Sequence, residues 1–285
     1  MKRRVLSSLI FCCLAVIAAA DSAPSNPVNT TQLMAWLTAG ISSRRLIRLV
    51  HERGLAAAPT ASEIQELAAA GAGKALVSSL TRLKPVGIKP AGTPVPKTLL
   101  QAAEDARGRR YHEAEVNLRA ALRVDPENAS IHFALAAMLS QQEQWDDAYD
   151  ELMTSEKLQP DFPESHCALA YIFYRVEDGP NAIAEARTAL SMDPQNAEAY
   201  QDLGLALQST EQFAAAAHAF TESLARDPDN AETYYSLGVA LQSDGKLGAA
   251  KAAYRHAVHL QSDSRQLKNN LVPVLSEGGK HDDVR

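Results

Sequence analysis

The stretch NAEAYQDLGLAL at residues 196–207 returns as NAETYYSLGVAL at 230–241, a step of 34 residues. The same step carries prolines through Pro126, Pro160, Pro194 and Pro228, and alanines through Ala114, Ala148, Ala182, Ala216 and Ala250. Small residues recur at Ala102, Ala136, Ala170, Gly204 and Gly238, and again at Ala121, Ser155, Ala189, Ser223 and Ala257. Leu135, Leu169, Leu203 and Leu237 hold a further register. A period of this length restricts the chain to a stacked array. One unit is too small to bury its own apolar faces and needs neighbours.

Each unit reads as two helices. In 197–230, Tyr200, Leu203, Gly204 and Leu207 share one helical face, and Phe213, Ala216, Phe220 and Leu224 share another. The polar stretch Ser209-Thr210-Glu211-Gln212 separates them, and Asp227-Pro228-Asp229-Asn230 ends the unit, since proline suits turns and helix starts but not helix interiors. The small residues leave room for close helix–helix approach, while Leu203 and Phe220 fill the remaining space. The expected fold class is all-α, and an apolar content of 46% with only 6% aromatics agrees with a helical composition.

These registers closely resemble the tetratricopeptide repeat (TPR) family, over units of about 95–128, 129–162, 163–196, 197–230 and 231–264. The resemblance implies a right-handed α-solenoid spanning residues 98–264. Residues 265–276 start a sixth first-helix and read as a capping helix, followed by a frayed tail at 277–285. Departures from the pattern are Thr98 and Gln101 in the first unit, Gly179-Pro180 in the third, and Ser262 in place of a proline in the fifth.

In such arrays the first helices line a concave face through unit positions 2, 5, 9 and 12. Here those positions place Glu164, Glu198 and Glu232 along one edge of a floor formed by Phe133, Tyr171, Tyr174, Gln201, Leu205 and Tyr235, among others. These nine residues are the expected partner-binding set. The floor lacks the lysines, arginines and asparagines with which chaperone-binding TPRs hold a carboxylate terminus, so the expected ligand is a protein or peptide of another kind. The alternative is that these side chains only tile the inner wall.

The region before the array has a different character. Lys2, Arg3 and Arg4, the apolar run Leu9–Ala20 and the small residues Ala18-Ala19-Ala20 have the layout of a secretory signal peptide spanning 1–20. The apolar run is shorter than the about 20 residues a bilayer crossing takes. An uncleaved anchor, or lipoprotein processing at Cys12 or Cys13, is the alternative. Cleavage after Ala20 leaves Cys167 as the sole thiol, so no internal disulfide is expected. Residues 29–83 read as four short helices, the first capped by Asn29 or Thr30, the second by Ser42 or Ser43, the third by Thr60 with Glu63 at capping-box spacing, and the fourth running from about 74 to 83. This stretch is similar to small helical segments that precede TPR arrays in some bacterial exported proteins. Residues 84–97, KPVGIKPAGTPVPK, read as a proline-rich linker.

Charge separates the two regions. Residues 29–90 carry eight Lys and Arg against three acids, whereas the whole chain has formal net charge −6, or −9 without Lys2, Arg3 and Arg4. The acidic balance argues against nucleic-acid binding. Arg44, Arg45 and Arg48 cluster on one helix face. Three readings apply: a solvated face, a patch for anionic lipid or an acidic partner, or docking onto the chain's own acidic array.

No HExxH motif, CxxC pair, phosphate-binding loop or nucleophile elbow occurs. His256 and His259 stand three apart without a third ligand, and His132 and His166 share the packing register of Tyr200 and Tyr234. No metal, cofactor or catalytic residue is therefore expected. The functional expectation is an exported, non-enzymatic scaffold or adaptor, periplasmic or secreted. The alternative is an accessory subunit guiding substrate for a cell-envelope enzyme or assembly machine.

Overall fold

The computed structural model describes residues 26–85 and 95–260. The expected signal peptide at 1–20, most of the linker, the end of the fifth unit, the capping helix at 265–276 and the tail lie outside the described residues. Among the described residues the chain forms fourteen α-helices, joined by one isolated bridge between Val28 and Leu55. No helix among them is long and apolar enough to cross a membrane.

Four short helices come first: α1 (Thr30–Thr38), α2 (Ser43–Arg53), α3 (Ala61–Ala69) and α4 (Lys74–Arg82). Their starts are chemically specified. Asn29 and Gln32 form a reciprocal capping box on α1, and Thr60 and Glu63 form one on α3. Each satisfies two backbone N–H groups that the first turn leaves free. Ser42 caps α2 by accepting from the Arg45 N–H, and Gly54, at φ +77, carries the chain out of it.

Five antiparallel pairs follow: α5 (Lys97–Arg107) with α6 (Tyr111–Leu122), α7 (Ala129–Gln141) with α8 (Trp145–Leu158), and α9 (Pro163–Arg175) with α10 (Gly179–Met192). The last two are α11 (Ala197–Ser209) with α12 (Phe213–Arg226), and α13 (Ala231–Ser243) with α14 (Leu247–Leu260). Each second helix packs against the first helix of the next pair, so the pairs stack as a solenoid.

The 34-residue registers have visible causes. Gly204 and Gly238 admit the rings of Phe220 and Tyr254 against the first helix of their units. In the register of small residues, the Ser155 and Ser223 hydroxyls donate to the Ala129 and Ala197 carbonyls at 2.9 and 2.8 Å, tying each second helix to its first. Gly179, which replaces an aromatic, leaves room for Thr210 of the next unit; a Cβ there would lie 2.4 Å from the Thr210 methyl.

The two regions that differ in charge share one core. Leu33, Trp36, Leu46, Leu67 and Leu76 of the first four helices are continuous with Leu99, Ile131, Leu135, Leu152 and Ile172 of the array. Smaller clusters gather around Phe220 and Tyr254 farther along. Fully burying one side chain of this size stabilises by roughly 1.5–3 kcal/mol, so this shared core holds the module against the first three units.

Candidate functional site

The first helices of the pairs, α5, α7, α9, α11 and α13, form one wall, and the N-terminal module lies against its early part. Helix α1 packs across α5 and α7. Its Trp36 is fully buried and stacks on Phe162, centroids 5.0 Å apart, while Phe133 meets the same Phe162 ring edge-on at 5.2 Å. Offset stacking and edge contact are the favoured geometries of such rings.

Helix α2 runs along the last three turns between units and sets at least one arginine on each. Arg53 donates to the Asp161 carbonyl at 2.6 Å, at the turn before α9. Arg45 pairs through Nε with Glu164, and its Nη1 lies 2.7 Å from Asp193 Oδ2. Arg48 donates to the Gln195 carbonyl at 2.7 Å, at the turn before α11. Arg44 pairs with Asp227 and, at 3.2 Å, with Asp229, at the turn before α13. All three side chains reach the chain's own acidic turns, and the solvated-face reading is corrected for Arg45, which keeps only 7% of its side-chain surface exposed, whereas Arg44 pairs while 55% exposed.

This docking divides the nine expected partner-binding residues. Phe133 is 6% exposed and Glu164 2% exposed; both face the chain's own module, so an outside partner reaches neither in this arrangement. Tyr171, Tyr174, Gln201, Leu205 and Tyr235 are half-buried, and Glu198 and Glu232 are exposed. They form two groups. Tyr171 meets Trp145 edge-on and lies 6.4 Å from Tyr174, and Arg175 sits 4.7 Å over the Trp145 ring while donating to the Tyr171 hydroxyl at 2.8 Å. Farther along, Tyr235 packs on Tyr254, and the Gln201 side-chain oxygen accepts from Asn230 and from the Thr233 hydroxyl at 3.2 and 2.9 Å. Gln201 therefore stitches α11 to α13 as much as it lines the wall. Leu205 packs at the edge of the Phe220 cluster.

The electrostatics of the wall change along its length. Arg45 neutralises Glu164, but Glu198, one unit on, has no ion pair among the described residues. Glu198 touches solvent, yet it lies within the concave wall. The resulting desolvation, with repulsion from Glu164, outweighs the attraction of the nearby Arg45 and pushes its carboxyl up to about 7. Burial and the neighbouring Glu198 push Asp202 well above the usual carboxylate range. Cys167 is fully enclosed, and burial holds its thiol well above the ordinary value, so it is an inert packing residue.

His132 and His166 are half-buried, as their packing register implies, and each bonds a glutamate of the paired helix, Glu151 at 2.6 Å and Glu185 at 2.8 Å. His256 stacks on Tyr234 with centroids 5.1 Å apart. No cluster of three His, Cys, Asp or Glu side chains suited to a metal occurs among the described residues. Sequence reading missed Trp36, Phe162, Arg53, Asp193 and Asp202. The signal for the arginines was present, because basic residues on one short helix faced a recurrent acidic turn.

Family models described as tetratricopeptide repeat match residues 106–170 and 201–265. No curated protein matches the chain. Among solved structures, the thermophilic TPR protein TTC0263 of Thermus thermophilus is 19% identical with a TM-score of 0.57, over 63% of this chain and 98% of its own. PilW, a type IV pilus biogenesis factor, is 20% identical with a TM-score of 0.57, over 64% of this chain and 86% of its own. A chain of the Cut9–Hcn1 hetero-tetramer of the APC/C is 14% identical with a TM-score of 0.60, over 64% of this chain and 36% of its own. At these identities the likeness is one of fold.

Proposed function

The chain belongs to the tetratricopeptide repeat family, and from that premise we propose that it is an exported adaptor that binds a protein or peptide partner on the concave wall its N-terminal module leaves open. The family is one of protein-binding scaffolds, and the wall from α9 to α13 supplies what such binding uses. It offers half-buried aromatic rings to exclude water, and exposed carboxylates to steer and orient. The single observation that carries the reading is the division of the wall. Phe133 and Glu164 are closed by the chain itself, whereas Tyr171, Tyr174, Tyr235, Glu198 and Glu232 keep accessible surface. The chain is read as a binding protein and is assigned no catalytic step. The export part rests on the layout of residues 1–20, and N-terminal sequencing of the purified protein is expected to begin at Asp21. A retained Met1 would remove it.

The test of the wall is a pair of variants in capture from cell-envelope extracts. Tyr171→Ala with Tyr235→Ala removes two rings from the open wall, and truncating a central aromatic of a binding surface costs about 2 kcal/mol or more. The double variant, folded by circular dichroism, is expected to lose at any ionic strength the partner that the unaltered chain retains. Glu198→Gln with Glu232→Gln is expected to weaken capture chiefly at low salt, where unscreened charge steers association. Retention of the same partner by the folded tyrosine double variant, at the unaltered level, would exclude the open wall as its site.

A further inference from the structure

The chain contains its own worked example of a cation bound at unit position 2. In the third unit Arg45 of the module seats its guanidinium on Glu164 and reaches Asp193 at 2.7 Å. A shift of 34 residues maps Glu164 onto Glu198 and Asp193 onto Asp227. Arg44 takes Asp227, and α2 begins one residue earlier, at Ser43, so no further side chain of that helix follows it along the wall. Glu198 is thus the counterpart of an occupied site, with no cation paired to it among the described residues.

A second observation distinguishes this unit from its sisters. One helical turn beyond Glu198, position 6 of the units reads Leu100, Ala134, Ala168, Asp202 and Ser236. Only the fourth carries an acid. Residues four apart on a helix share a face, so Asp202 and Glu198 stand together on α11. Asp202 is 7% exposed, and its Oδ2 is buried without a hydrogen-bond partner. On the same helix, Gln208 also buries an unpartnered acceptor, Oε1. A buried carboxylate without a donor is strongly disfavoured, and native proteins rarely keep one without a use for it. Acceptors without donors call for a ligand rich in N–H groups.

We propose that Glu198 and Asp202 form a subsite for an arginine side chain of the partner, seated on α11 as Arg45 is seated on Glu164. The inference rests on the reading of the open wall as the partner site and gives that site its chemistry. A guanidinium suits the place better than an ammonium. Its planar fork presents five donors and can face two separate carboxylates at once, as Arg45 does in donating to Glu164 while lying beside Asp193. The desolvation that raises both carboxyl groups is offset by the attraction of a cation placed between them.

Calorimetric titration of the full chain with acetyl-Tyr-Arg-Tyr-amide, and with versions carrying lysine or the uncharged isostere citrulline, tests this. The arginine peptide is expected to bind, the lysine peptide more weakly, and the citrulline peptide at least about tenfold more weakly. Glu198→Gln and Asp202→Asn are each expected to weaken the arginine peptide by about tenfold or more. Both variants are expected to melt at or above the unaltered chain at pH 8, because each replaces a desolvated acid with a neutral amide. Glu198 is exposed, so its variant keeps the test available should Asp202→Asn misfold. Absence of arginine-peptide binding, equal binding of the citrulline peptide, or unchanged affinity in the folded Glu198→Gln variant would each overturn the subsite. The wall reading fails separately. If the tyrosine double variant keeps its partner while the arginine peptide still needs Glu198, the subsite stands and the wall reading falls. Loss of the partner in that variant, with no peptide binding, gives the reverse.

Discussion

A Cβ at Gly204 would lie 2.5 Å from Phe220, and one at Gly238 would lie 2.4 Å from Tyr254. Ordinary packing admits no such approach, so each glycine is the seat of the aromatic ring opposite. Gly204→Leu is expected to destabilise the array by about 1–3 kcal/mol, the usual result of overpacking a close helix contact. Gln212→Ala, at an exposed position just before α12, should stay within roughly 0.5 kcal/mol. Urea denaturation of both variants checks the pair, and equal midpoints would mean that the helix contact is not where the structure places it. The same scale shows a limit of reading by residue type. Arg109, Glu143, Glu177, Glu211 and Gly245 all take positive φ, between 57° and 77°, at one turn of every unit. Only the last is a glycine. The left-handed conformation at the other four comes from closing a helix pair over a short turn, and the residue types do not announce it.

Among the elements, α2 carries the strongest local commitment. Arg44 to Arg53 covers ten residues, nine rises or about 13.5 Å of helix, and long side chains extend that reach to three successive inter-unit turns. Arg45 and Glu164 are both nearly sealed from solvent, at 7% and 2% of their side-chain surface. Breaking such a pair from one side leaves a buried charge without compensation. Arg45→Ala is therefore expected to cost about 3–5 kcal/mol. Adding Glu164→Ala to Arg45→Ala should recover part of that loss, because the stranded carboxylate is gone. A double-mutant cycle by chemical denaturation measures it. A loss below about 1 kcal/mol for Arg45→Ala, or full additivity of the two changes, would contradict the docking of α2 on the array.

At the scale of the whole molecule, acidity should tune stability in one direction above the carboxylate range. Burial pushes the His132 ring down, but its hydrogen bonds to Glu151 and to the Pro126 carbonyl more than offset this and raise it. The hydrogen bond to Glu185 raises His166. Desolvation raises Glu198 to about 7 and also lifts Asp202. All four groups hold protons more tightly folded than unfolded. Their contribution is complete below the unfolded values, near 4 for the acids and about 6.5 for histidine, and is lost as pH rises through the folded ones. The melting temperature is therefore expected to fall between about pH 5.5 and 8, where the native state binds the excess protons. Glu198→Gln should flatten that fall below pH 7. A melting temperature that rises over the interval would show that the carboxylates on α11 carry compensation not visible in the fold.

The sequence by itself determined the repeat. Gly204, Ala216 and Ser223 and their equivalents lie on fixed helical faces, Pro228 and its equivalents stand in the turns that end the units, and a 34-residue period has few ways to bury those faces, so the five helix pairs were legible. Three helix starts of the module, at Asn29, Ser42 and Thr60, were legible too, because side-chain capping is written within a few residues. The concave positions could be named from the register, but their accessibility could not. Phe133 and Tyr235 hold the same unit position, yet one is covered by the chain's own module and the other keeps part of its surface. That difference arises from contacts between Trp36 and Phe162, between Arg45 and Glu164, and between Arg44 and Asp227, across 119 to 183 residues for the charged pairs. Local pattern carries helix faces and turns, since these depend on near neighbours. Which acid receives an internal arginine, and which is left without one, depends on where a separate module comes to rest, and only the tertiary structure decides that.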